Sequence, residues 1–139
     1  MDLAAARQLI QSSFARMDAL YRRPLFDEWA ILSAAPAGVL AYSGPRGSNF
    51  REQLATDAEP LRAAATGRPH APGDFEFATD APGTSYDACM RIGEKSYLIC
   101  NHTTRSLAEI RADAKWLKAQ AAFFELSEKF RADPLVLTS

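Results

Sequence analysis

Cys100 and His102 stand two residues apart in the apolar run Lys95 to His102, and Cys89 lies in the run before it, Tyr86 to Ile92. Residues two apart on a β-strand share a face, and diagonal neighbours on adjoining strands come close. Cys89, Cys100 and His102 could therefore form a thiolate–imidazole pair or part of a metal site. Core thiols beside a strand-end histidine explain the same pattern, because free Cys is among the most buried residue types and a closed zinc site needs four ligands. A Cys89–Cys100 disulfide is disfavoured, since a diagonal separation exceeds the usual reach.

The remaining polar residues suggest no chemistry of their own. His70 sits in a Pro- and Gly-rich loop without a triad partner beside it and reads as solvent-exposed. The segment Gly44 to Asn49 precedes a helix start where an anion could bind with Arg46, but no Gly-Lys-Ser/Thr follows, so it reads as a turn and cap. Asp27, Glu28, Glu52, Asp57, Glu59 and Asp80 make no carboxylate pair on one element and read as solvated charges. No catalytic constellation is visible, and no enzyme activity, metal or cofactor is expected.

Composition sets the outer bounds. With 139 residues, 47% of them hydrophobic and 24% charged, the chain suits one globular domain over residues 1–134, followed by a tail at 135–139. A net charge of -1 with scattered basic residues argues against a nucleic-acid partner. No run approaches the ~20 apolar residues of a membrane span, and the N-terminal stretch lacks the apolar core of a signal peptide. Two cysteines are too few for a disulfide framework and fit a reducing cytoplasm.

The elements that must position these residues follow from periodicity. Leu3, Ala6, Ile10, Phe14, Met17 and Tyr21 recur at helical spacing, and Pro24 stops that helix soon after. Trp29 to Ala34 and Val39 to Ser43 flank Ala35-Pro36-Ala37-Gly38 as a hairpin. A middle helix starts at Asn49 with Glu52 and carries Phe50, Leu54, Ala58, Leu61 and Ala65, with Pro60 kinking or dividing it. Phe75 and Phe77 alternate with Glu76 in a third strand suited to a sheet edge.

A second hairpin joins Tyr86–Ile92 to Lys95–His102 through Gly93-Glu94. If that turn has two residues, Met90 faces Tyr97 and Cys89 faces Leu98. Ser106 and Glu109 then form a capping box for a single final helix, with Ile110, Ala114, Leu117, Ala121 and Phe124 as its main stripe. Trp116, Phe123 and Phe130 widen that stripe. The order is α-β-β-α-β-β-β-α, an α+β domain with a five-stranded antiparallel sheet flanked by helices.

That order, with Trp29-Ala30-Ile31-Leu32 leading into Gly38-Val39-Leu40-Ala41-Tyr42-Ser43, then Ile92 to Ile99, then the Ser106 helix, resembles the roadblock/dynein-light-chain family of profilin-like scaffolds. The resemblance implies a sheet with the middle helix on one face and the terminal helices on the other. It further implies a non-enzymatic bacterial homodimer joined through Phe50, Leu54, Leu61, Phe75 and Phe77, acting on a small Ras-like GTPase or another protein. Pro60 departs from that family's uninterrupted middle helix. A type III secretion chaperone, whose pattern resembles α-β-β-β-α-β-β-α, and a small-molecule-sensing PAS- or profilin-like domain are the alternatives.

Overall fold

Five antiparallel strands form one sheet, with helices from the two ends of the chain packed on one of its faces. The computed structural model describes residues 1–22, 24–26, 28–34, 37–44, 70–79, 86–102 and 106–137. The predicted middle helix, with Phe50, Leu54, Pro60 and Leu61, lies outside them.

Helix α1 spans Leu3–Tyr21 and starts on Asp2, whose carboxylate accepts the Ala5 N–H at 2.8 Å. Its predicted stripe is the buried one: Ala6, Ile10, Phe14, Met17 and Tyr21 all face the core. Arg22 ends the helix in the left-handed region at φ 67°, with its N–H donating to Asp18 O at 2.7 Å. Asp18 also accepts the Leu25 N–H at 3.2 Å, which turns the chain towards the sheet.

The strands are β1 (Glu28–Ala34), β2 (Ala37–Ser43), β3 (Phe75–Thr79), β4 (Tyr86–Arg91) and β5 (Ser96–His102), in the spatial order β2-β1-β5-β4-β3. Two strands precede the undescribed segment and three follow it, the division expected from sequence. The β1–β2 hairpin carries a bulge, since Ile31 pairs with Ala41 but Leu32 pairs with Val39.

The second hairpin departs from expectation by one residue. Arg91 pairs with Tyr97, Met90 with Leu98, Cys89 with Ile99 and Ala88 with Cys100. The Ile92 and Gly93 N–H groups both donate to Ser96 O, at 3.0 and 3.3 Å, so the connection is wider than two residues. Meanwhile Ile92 O, which a two-residue turn would occupy, accepts the Leu135 N–H at 2.7 Å. Because side chains alternate, this slip moves Tyr97 and Ile99 to the face opposite Ala88, Met90 and Ile92.

The last predicted helix is two: α2 (Leu107–Ala112) and α3 (Trp116–Ala132). Ser106 caps the first, with its hydroxyl accepting the Glu109 N–H at 3.1 Å. Asp113 breaks the run: its backbone is extended, and its carboxylate accepts the Lys115 N–H at 2.9 Å, an Asx turn that competes with the helix. The break resets the helical phase. The buried stripe of α3 is therefore Trp116, Ala119, Ala122, Phe123, Leu126 and Phe130, while Leu117 and Phe124 point outwards.

Helices α1 and α3 pack side by side, with Arg16 forming an ion pair to Glu125 across their outer surface. Beneath them Phe14, Phe26, Phe75, Phe77, Tyr86, Trp116 and Phe123 make a connected aromatic cluster against Ile31, Met90, Leu98 and Cys100. The other face of the sheet is also apolar, built from Ala30, Leu32, Cys89, Tyr97 and Ile99. Leu135, predicted to begin a tail, is buried and bridges to Gly93, and the Val136 N–H donates to Met1 O at 2.8 Å.

Candidate functional site

The cysteines do not share a site. Cys100 lies on the helix-covered face, with its thiol 3.8 Å from Ala88 O, whereas Cys89 belongs to the cluster on the opposite face. The one-residue change of register is the cause. The diagonal proximity expected of Cys89 and Cys100 thus does not arise, and both are buried. His102 ends β5 with its backbone paired to Tyr86, and its side chain lies outside the described atoms.

Glu28, expected as a solvated charge, is buried at 2% exposure in β1, where the Tyr42 hydroxyl donates to its carboxylate at 3.0 Å. Its cross-strand partner is Asn101, whose side-chain oxygen is buried without a hydrogen-bond partner among the described residues. No sequence pattern distinguishes Glu28 from the other carboxylates read as solvated, because burial here follows from β1 lying between β2 and β5.

Phe75 and Phe77 occupy β3, which closes one side of the five-strand order. Both are half-buried and turned under α3, with ring centroids 4.9 and 5.4 Å from that of Phe123. They are thus partly core, as alternation on β3 requires, while Glu76 between them faces away and is exposed. The Phe75 ring also lies 5.4 Å from Phe124, which is 41% exposed, and Leu117 on the same side of α3 is 71% exposed.

An apolar strip therefore runs from Leu117 through Phe124 to Phe75 along the β3 side of the molecule. Leu117 and Phe124 belong to the predicted core stripe of the last helix, and it is the Asp113 break that turns them to solvent. Arg111 of α2 lies over Phe77, the next inward-facing residue of β3, with its guanidinium 5.8 Å from the ring centroid. The expected partners of Phe75 and Phe77 on the middle helix, Phe50, Leu54 and Leu61, lie outside the described residues.

No family model and no curated protein matches the chain. Solved chains similar to it include MglB proteins. A gliding protein MglB from Thermus thermophilus has a TM-score of 0.47 at 15% identity, over 89% of each chain. MglB from Myxococcus xanthus also has a TM-score of 0.47, at 14% identity over 95% of this chain and 93% of that one. An MglB in a tetrameric arrangement has a TM-score of 0.41 at 13% identity, over 88% of this chain and 92% of that one. At these values the fold class rests on this chain's own strand order and helix placement.

Proposed function

We propose that this chain is a protein-binding and dimerisation module without catalytic activity, whose partner is a second copy of itself together with a small Ras-like GTPase or similar protein. The observation that carries the reading is the apolar strip of Leu117, Phe124 and Phe75 beside the edge strand β3. Exposed apolar side chains gathered at a sheet edge favour association, because covering them releases water and an edge strand has backbone groups open to pairing. Phe50, Leu54, Leu61, Phe75 and Phe77 are the residues assigned to that contact. The division of two strands before residue 44 and three after residue 74 favours the roadblock pattern over the secretion chaperone.

Sedimentation velocity at micromolar concentration tests the dimer, with Phe124→Glu as the disrupting variant. A dimer that Phe124→Glu converts to a folded monomer supports the reading, and a wild-type monomer overturns it. For the GTPase part, the measurement is the nucleotide hydrolysis rate of a Ras-like GTPase encoded beside the gene, with and without this protein. An unchanged rate together with no detectable complex removes the GTPase as partner.

A further inference from the structure

A cleft of about 560 Å³ opens at the end of the sheet where the β4–β5 connection, the loop before β3 and the C-terminal segment meet. Its size falls within the ~300–1,000 Å³ usual for small-molecule sites. Three kinds of surface meet in it.

The first is a pair of serines. Ser33 and Ser96 are cross-strand partners on β1 and β5, only 5% and 2% exposed, and both line the cleft. Neither hydroxyl has a hydrogen-bond partner among the described residues, and neither oxygen is fully enclosed, so both can be reached from the cleft. The second is an apolar wall from the C-terminal segment. Val136 is 61% exposed and Leu137 42%, and both line the cleft above buried Leu135. Leaving these side chains in water is unfavourable unless something covers them.

The third is charge. Arg91 lines the cleft, but its guanidinium already donates to Gly93 O at 3.0 Å, His70 O at 2.5 Å and Glu94 O, so it acts as a clamp on the surrounding loops. Lys95 also lines the cleft, and its ammonium has no ion-pair partner among the described residues. Glu94 on the same lining opposes a multiply charged anion.

We propose that this cleft binds a monocarboxylate with an aliphatic body. The carboxylate accepts from the Ser33 and Ser96 hydroxyls and pairs with Lys95, while the aliphatic part lies against Leu135, Val136 and Leu137. A single available ammonium beside Glu94 matches a monoanion better than a phosphate dianion. The site is independent of the strip along β3, so its success or failure leaves the association reading untouched.

The test uses octanoate as probe and the full chain labelled with ¹⁵N, followed by amide shifts. Saturable shifts at Ser33, Ser96, Lys95 and Leu135 to Leu137 are expected with octanoate and not with octan-1-ol. Lys95→Gln weakens binding roughly tenfold, the loss typical of one charge-assisted hydrogen bond. The Ser33→Ala/Ser96→Ala double variant loses the octanoate response while its melting temperature holds, since hydroxyls without a protein partner add little to stability. Absence of saturable shifts, equal binding of octan-1-ol, tighter binding of octyl phosphate, or wild-type binding by both variants would each overturn the proposal.

Discussion

Leu135 lies against Gly93 so closely that a Cβ built on Gly93 would stand 2.5 Å from the Leu135 carbonyl oxygen. The contact forms a parallel bridge, continued by the Leu135 N–H on Ile92 O at 2.7 Å. The obstacle is backbone rather than a flexible side-chain tip, so it cannot swing aside. Gly93→Ala should displace the C-terminal segment and cost about 1–3 kcal/mol, the range for overpacking. Urea denaturation measures it, and accelerated proteolysis after residue 133 would locate the damage.

Phe123 and Phe124 are neighbours in sequence with opposite fates, at 1% and 41% exposure. Phe123 touches Phe26, Phe75 and Phe77, so Phe123→Ala should destabilise by about 3–5 kcal/mol. For Phe124→Ala in the monomer the expected cost is under about 1 kcal/mol, as for a partly exposed surface residue. Thermal melts of the two variants side by side separate the observed helical phase from the one periodicity suggested, in which the larger loss would fall on Phe124.

Burial pushes the Asp18 carboxyl above the usual carboxylate range, and the Leu25 N–H it accepts only partly offsets this. The folded state thus holds this proton more tightly than the unfolded chain does. Asp18 therefore favours folding most at pH below the ordinary carboxylate pKa, and that contribution falls away as pH rises through the raised value. Asp18→Asn keeps an acceptor for Leu25 without a buried charge. Its stability should match or exceed wild type at neutral pH and vary less across mildly acidic pH, as read from denaturation midpoints.

Cys89 and Cys100 sit on opposite faces of the sheet, and both are buried. Oxidation of the native protein should therefore produce no intramolecular disulfide. A thiol count with Ellman's reagent is expected to stay near zero when folded and to reach two per chain in denaturant. Disulfide formation in the folded state, detected by mass, would contradict this register.

Local signals carried much of the fold. The α1 stripe from Ala6 to Tyr21, the Ser106 cap and the positions of five strands are legible because a period of 3.6 or 2 and a capping side chain act within a few residues. The candidate site was less legible. Glu28 reads as solvated and is buried, and Leu117 and Phe124 read as core and are exposed.

Those reversals have distant or phase-shifting causes. Asp113 stops α2 through a single Asx turn, after which every residue of α3 faces a new direction. Leu135 takes Ile92 O from across the chain, and the β4–β5 pairing that accompanies this contact decides which face each of Cys89, Tyr97 and Ile99 occupies. Five strands and the helices at the two ends follow from residue order alone, because those preferences are local. Which cysteine meets which face, which aromatic reaches solvent and where a cleft opens were decided only by tertiary contacts, because one hydrogen bond between remote segments accompanies a shift of an entire alternating pattern by one residue.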